Sequence, residues 1–258
     1  MQDTPPHLPA TPAWPPRSAP RLFVSGPLAE GLGVSIEGPQ AHYLARVMRV
    51  GAGDGVVLCD DITGEWAARV EAVGKRDLAL SCVSLLRARE AVPDFTLCAA
   101  LLKKDRFDLV LEKACELGVA RIQPVLTRRC VADKLNLDRA RAILTEAAEQ
   151  CARTALPAIA EPVSLPVLLR GWDSSRTLFF ADETGGGPAA QAFSAASGPA
   201  ALLTGPEGGF DPAEREAIRA LAQARPISLG PRILRGETAA IAGIALWMGI
   251  AGDWRAKD

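Results

Sequence analysis

The sequence predicts an α/β protein in two parts, a small β domain of barrel type followed by a larger domain built on a parallel sheet. Three observations lead there. From Arg21 to about Arg89 the apolar residues come in short runs divided by turn sequences, the pattern of consecutive short strands. Beyond that point strand-like runs alternate with helix-length amphipathic stretches, as in a parallel sheet covered by helices. Two glycine-bearing segments, LTGPEGGF and LGPRILRGETA, each end a strand-like run and open a helix. With 258 residues the chain is long enough for both parts to bury a core without disulfides or metals.

Taken in order, residues 1–20 contain seven prolines and almost no core-forming side chain, so they read as a disordered tail in which His7 is solvated. Residues 21–90 form the β domain, with strands at RLFVS, GVSI, GVVLC, EWAARVEAV and DLALSCVSLL and reversals at GAGDG, DDITG and GKRD. Its helical candidate is AHYLARVMRV, where helical spacing puts Leu44, Val47 and Met48 on one face and Arg46 and Arg49 on the other. GAGDG has a GxG spacing, but its place inside a β domain favours a turn over a nucleotide loop. Residues 91–258 form the larger domain. Strands are expected at TLCAALL, ARIQPVLT, TLFFA, AALLT and PISLG. One helix carries Phe107, Val110, Leu111, Ala114 and Leu117 and stops at Gly118; the next carries Ala140, Ile143, Leu144, Ala147, Ala148 and Cys151. A helix from Glu237 to Ala251, apolar almost all round, must be buried against the sheet or another subunit.

Composition narrows the partners. Hydrophobic residues make up 48%, charged residues 23%, and the net charge is −1, so there is no general attraction to polyanions and a nucleic-acid surface has to be local. Between Lys103 and Arg153 eleven Lys or Arg stand against eight Asp or Glu, an excess too small to identify such a surface by itself. The six cysteines, at 59, 82, 98, 115, 130 and 151, include no close pair and read as reduced, mostly buried small hydrophobes. No apolar run has membrane-spanning length and no signal pattern opens the chain, from which a cytoplasmic location is expected. No His/Cys cluster suggests a metal.

The two glycine loops carry the chemistry. In LTGPEGGF and the residues after it, Asp211 is placed as N-cap, Pro212 at the first helical position and Glu214 completes a capping box, which sets Gly205, Gly208 and Gly209 where backbone can approach a ligand. Neither a phosphate-loop lysine nor a GxGxxG motif is present in this half, and a glycine turn between strand and helix also occurs on structural grounds alone. In the second loop Arg232, Arg235 and Glu237 crowd beside the apolar helix. Charges there must face a ligand or be paired, the pairing alternative being an Arg235–Glu237 salt bridge that caps the helix.

With these two loops the sequence resembles the RsmE-type 16S ribosomal RNA methyltransferases, members of the SPOUT class. The resemblance extends to KKDRFDLVLEKACELGVARIQPVLTRRC, to EAAEQCARTALPAI, whose helix end is similar to the family's Glu-Gln-x-x-Arg, and to HYLARVMRVGAGDGVVLCD, similar to the family's PUA-like domain; it covers about Arg21 to Gly252. Two departures stand out: Gly236 where the family usually has Thr, and the proline-rich first twenty residues. The resemblance implies a trefoil-knotted SPOUT domain behind a PUA-like β-barrel. It implies S-adenosylmethionine as cofactor, N3 of a uridine in 16S rRNA of the small ribosomal subunit as acceptor, and a homodimer, with no metal and no membrane. The cofactor is expected against Ala181, Leu203, Thr204, Gly205, Pro206, Gly208, Gly209, Leu229, Gly230, Ile233, Leu234 and Thr238, with the strand end FFADE contributing. A deprotonated uracil needs a cation, for which Arg235 and Arg153 are candidates, and Glu237 is a possible proton acceptor, with water as its alternative. RNA is expected to meet Arg46, Arg49, Lys103, Arg106, Arg128 and Arg129. Two other readings stay open: the same chemistry on another RNA such as tRNA, and an RNA-binding protein without catalysis.

Overall fold

The computed structural model describes residues 14–255, so most of the proline-rich tail lies outside the described residues. The chain divides into two units, Met1–Glu90 and Ala91–Asp258.

In the first unit the strands are β1 (Arg21–Phe23), β2 (Gly33–Glu37), β3 (Gly55–Asp60), β4 (Gly64–Val73) and β5 (Asp77–Ala88). They form one sheet in the order β1-β3-β4-β5-β2, antiparallel except for β1 beside β3. Alternate residues point inward, and Leu22, Ile36, Val56, Leu58, Val70, Leu78 and Leu80 form the core with Leu28 and Leu44. The reversal between β3 and β4 is organised by the buried Asp60, whose carboxylate accepts from the amides of Leu28 (2.6 Å), Ile62 (2.9 Å) and Gly64 (3.1 Å) and from the Thr63 hydroxyl (2.7 Å). GAGDG is a turn, as expected: the Asp54 amide donates to the Gly51 carbonyl at 3.1 Å and Gly53 has φ +92.

Two expectations need correction in this unit. The described end of the tail packs on the domain: Pro15 lies where a Cβ on Gly55 would stand 2.8 Å from it, and the Arg69 guanidinium lies 5.2 Å from the Trp14 ring centroid. The helical segment α1 (Gly38–His42) passes at Tyr43–Val47 into a π-helical turn, closed by the Met48 amide on the Tyr43 carbonyl at 2.9 Å. That wider turn rotates each residue less about the axis, so Leu44 stays buried while Val47 and Met48 swing out to 61% and 38% exposure. Arg46 and Arg49 are exposed, without an ion pair among the described residues.

In the second unit the elements are β6 (Phe95–Ala100), α2 (Lys104–Glu116), β7 (Arg121–Leu126), α3 (Leu137–Gln150), β8 (Ala158–Ile159), β9 (Val163–Ser164), α4 (Leu165–Arg170), β10 (Thr177–Ala181), β11 (Gly187–Pro188), α5 (Ala189–Ser194), β12 (Ala200–Thr204), α6 (Pro212–Ala220), β13 (Ala224–Ser228) and α7 (Gly236–Ile250). The sheet is parallel throughout, in the order β11-β13-β10-β12-β6-β7-β8 with β9 also beside β7. Both faces are covered, which explains the near-continuous apolar strands. Leu178, Phe180, Ala201 and Leu203 pack with Phe210, Ile218 of α6 and Leu165 of α4, whereas Phe179 meets Phe193 of α5 edge-on at 4.9 Å.

Helix α7 is buried along one stripe, Glu237, Ala240, Gly243, Ile244, Trp247 and Met248. Trp247 stacks on Phe95 of β6 with centroids 4.0 Å apart. The opposite stripe, including Ile241, Ala245 and Leu246, is half-buried. The sheet therefore covers part of this helix and leaves the rest apolar and partly open. Among the described residues no helix is long and apolar enough to cross a membrane.

Candidate active site

Three loops leave the carboxyl ends of neighbouring strands β12, β10 and β13 and enclose a cavity of about 550 Å³. Ligands gather at this edge of open parallel sheets, and the volume falls in the range of small-molecule and cofactor pockets. The lining includes Ala181, Gly205, Pro206, Gly208, Gly209, Leu229, Gly230, Ile233 and Leu234 from the expected set. Ile233 is at the rim rather than in a wall, being 89% exposed. Leu203 and Thr204 are enclosed within the sheet, 0% and 2% exposed, and lie beneath the cavity instead of lining it. Thr238 is exposed on the first turn of α7 outside the lining, where Gly236 and Ala239 stand in its place.

The β12 loop is built by local sequence. The Gly209 amide closes a turn on the Pro206 carbonyl at 2.9 Å, and Phe210 tucks under Gly205 to meet Phe180 edge-on. Asp211 and Glu214 form the capping box, the Asp211 carboxylate accepting from the Ala213 amide at 3.0 Å and Glu214 from the Asp211 amide at 3.1 Å. Glu214 also accepts the Arg128 amide at 2.8 Å, which ties the β7 loop to the same place. Gly209 has φ +67, and a Cβ there would stand 2.7 Å from Glu183 Oε1. Gly236, the residue that departs from the family pattern, lets α7 begin close against this loop: a Cβ on it would stand 2.8 Å from Leu102 Cδ2 and 3.1 Å from the Gly205 carbonyl.

The β10 loop adds charges that sequence reasoning only partly found. Asp182, Glu183, Thr184, Gly185 and Gly186 line the cavity. The Asp182 side chain is fully buried and accepts from the Thr184 amide (3.0 Å) and hydroxyl (2.8 Å) and from Arg219 of α6 (2.5 Å). Burial alone would raise its pKa, but these donors outweigh it and hold the carboxyl below its ordinary value. Arg215 bonds Glu183 and lies 3.3 Å from Asp182, so α6 clasps the β10 loop through two arginines one turn apart. The signal was available as that four-residue spacing opposite an Asp-Glu pair.

The expected catalytic and RNA-facing residues separate. Arg235 is exposed at the N-cap of α7, beside lining residues Leu234 and Gly236, with no ion pair among the described residues; the Arg235–Glu237 salt bridge does not form. Glu237 is instead bonded by Arg106 of α2, and its Oε2 is buried without a hydrogen-bond partner. Arg106 is thus paired with a protein carboxylate while a third exposed, and Glu237 is held in the α2–α7 contact, outside the cavity lining. Arg153 is likewise absent from the cavity lining. It is 5% exposed at the amino edge of the sheet, donating to the carbonyls of Cys115 at 2.7 Å and Val119 at 2.8 Å. Arg128 and Arg129 lean over the β12 loop, donating to Asp211 at 3.1 Å and to the Gly208 carbonyl at 2.8 Å, and the Lys103 amide faces Glu207 at 3.4 Å.

The cavity suits a small molecule with an apolar portion. Pro206, Ile227, Leu229 and Leu234 supply apolar surface, and Glu207 adds a carboxylate beside Asp182 and Glu183, whose charges are paired by Arg215 and Arg219.

Comparison with known proteins agrees with that chemistry. A family model described as an RNA methyltransferase domain matches residues 89–248, and one described as an RNA methyltransferase PUA domain matches residues 36–81. Ribosomal RNA small subunit methyltransferase E of Synechocystis sp. is 34% identical over 223 residues, covering 82% of this chain and 71% of that protein. The Rickettsia conorii protein of the same name is 29% identical over 229 residues, covering 87% of this chain and 93% of its own. The crystal structure of ribosomal RNA small subunit methyltransferase E from Neisseria gonorrhoeae bound to S-adenosyl methionine aligns with a TM-score of 0.84 at 27% identity, covering 92% of this chain and 100% of that one. With its PUA domain, its parallel-sheet α/β domain and a cavity at the carboxyl edge of that sheet, the chain belongs to the RNA methyltransferase family.

Proposed function

We propose that this chain methylates N3 of a uridine in 16S rRNA of the small ribosomal subunit, using S-adenosylmethionine. The observation that carries the reading is the cavity formed by three strand-end loops, with the exposed guanidinium of Arg235 beside it, in a chain of this family. When bound, S-adenosylmethionine supplies the methyl group. Backbone groups of the loops at 205–209 and 229–234 hold the cofactor against the apolar side chains of Pro206, Ile227, Leu229 and Leu234. Uracil N3 lies on the Watson–Crick edge, so the target base enters unpaired.

N3 must lose its proton, and the exposed guanidinium of Arg235, next to the lining residues Leu234 and Gly236, supports its assignment as the cation that stabilises the uracil anion. Water takes the proton, since Glu237 is committed to Arg106. RNA reaches the cavity past Lys103, Arg128 and Arg129, and Arg46 and Arg49 of the PUA domain add phosphate contacts. The half-buried apolar stripe of α7 supports a homodimer in which a second copy covers it, and the family resemblance supports a trefoil knot at these loops and a cytoplasmic location.

The test is to incubate small subunits lacking the modification with enzyme and cofactor and to map modified nucleotides by mass spectrometry. The reading expects one N3-methyluridine in 16S rRNA. Methylation confined to tRNA would move the substrate, and absence of S-adenosylmethionine binding by calorimetry would leave an RNA-binding protein without catalysis.

A further inference from the structure

Two of the three loops that line the cavity are held together from outside it by one side chain. Arg215, on α6, is absent from the lining. Its Nη2 donates to Glu183 Oε1 and, at 3.4 Å, to the Phe210 carbonyl, and its Nε lies 3.3 Å from Asp182 Oδ1. Asp182 and Glu183 belong to the β10 loop and Phe210 to the β12 loop, so a single guanidinium grips both. Backbone pairing fixes the ends of the β10 loop, where Ala181 and Gly187 each register with Ile227 of β13. The apex between them, Glu183–Gly185, is placed through the Asp182 and Glu183 carboxylates. Glu183 in turn reaches over Gly209 of the β12 loop, where a Cβ would stand 2.7 Å from the oxygen that Arg215 bonds.

We propose that Arg215 is a positioning residue for the cofactor site, setting the β10 and β12 loops at the separation that S-adenosylmethionine needs, with Arg219 in support. The inference rests on the cofactor proposed above. It gives α6 a part in binding although neither arginine lines the cavity.

The two arginines do not share the task equally. A site whose loops are correctly placed only part of the time binds with an affinity reduced by that fraction. Removing Arg215 releases Glu183 and the Phe210 carbonyl together and leaves the Asp182 carboxylate with Arg219 and Thr184. Removing Arg219 releases only the β10 loop, and its side chain is 46% exposed against 15% for Arg215, so water and salt screen its pull on Asp182 more strongly. The larger share therefore falls to Arg215.

The experiment uses the full chain and two readouts: calorimetric titration with S-adenosylmethionine, and hydrogen exchange of the protein alone, followed by peptide mass spectrometry over residues 181–188 and 205–211. Arg215→Ala is expected to weaken binding about tenfold, as when the loops are correctly placed about a tenth of the time, and to speed exchange in both loops together. Arg219→Ala is expected to weaken binding roughly threefold and to speed exchange in the β10 loop alone. Arg215→Lys keeps the charge but lacks the planar fork that serves several acceptors, and should fall between wild type and Arg215→Ala. A lower melting temperature with wild-type affinity in the folded fraction overturns the proposal, as does unchanged exchange in either loop of Arg215→Ala. Arg215→Lys and Arg219→Ala decide by the same readouts if Arg215→Ala does not fold. Wild-type protein that binds no S-adenosylmethionine removes the cofactor reading and this inference with it, whereas binding without methylation of 16S rRNA moves the substrate and leaves the role of Arg215 standing.

Discussion

The two edges of the larger sheet each hold an arginine beside a helix end, and the chain uses them in opposite ways. At the amino edge Arg153 is buried and spends its donors on the carbonyls of Cys115 and Val119, where α2 runs out of internal partners and carries the negative end of its dipole. At the carboxyl edge Arg235 stands at the positive end of α7, where no helix carbonyl is available, and its side chain stays exposed. A guanidinium at a helix C-terminus finds acceptors in its own fold, and one at an N-terminus has to find an anion from elsewhere. That distinction gives Arg153 a structural place and leaves the Arg235 guanidinium open to a ligand, as the proposed function requires.

The largest effect should come from breaking the amino edge. Arg153→Ala removes two charge-assisted hydrogen bonds from a buried site and is expected to cost about 3–5 kcal/mol in denaturant unfolding, with normal specific activity in the folded fraction. Arg235→Ala should do the reverse: turnover about a hundredfold lower, with melting temperature and cofactor affinity nearly unchanged. Parallel losses of stability in both variants would erase the contrast. Between these lies Arg106, a third exposed, whose removal leaves Glu237 without its cation. Arg106→Ala is expected to destabilise by about 2 kcal/mol, and much less in a Glu237→Gln background, so a double-mutant cycle in unfolding free energy measures the coupling.

The last effect is a pH dependence and belongs to Asp182. Its folded pKa is held below the ordinary value, so its contribution is complete above the unfolded pKa of about 3.9 and is lost as pH falls through the folded value. Asp182→Asn should flatten the fall of stability below pH ~4, followed by urea unfolding at a series of pH values.

What was legible in the sequence is what neighbouring residues decide. The Asp211–Glu214 capping box, Pro212 at the first helical position and the strands around both glycine loops all follow from interactions within a few residues. The strands β8, β9 and β11 have two residues each and the helices α4 and α5 six, too few for a period to show. Val47 and Met48 were misplaced because an α-helical period was applied to a π-helical turn. The Arg106–Glu237 pair joins residues 131 positions apart and leaves no local trace. Leu203 and Thr204 sit in the right motif, but the strand's neighbours close over them.

The strand order also has a temporal meaning. The smaller domain pairs strands within its own first ninety residues and can close while later residues are still being made. The larger sheet is different: β6, its first strand in the chain, has β12 and Trp247 as partners, which arrive more than about a hundred residues later, a long and slow loop to close. Its cavity is completed by Gly236 and Ala239, so the site comes into being only after nearly the whole chain has left the ribosome that made it. Synthesis therefore yields a finished PUA domain well before a finished methyltransferase domain.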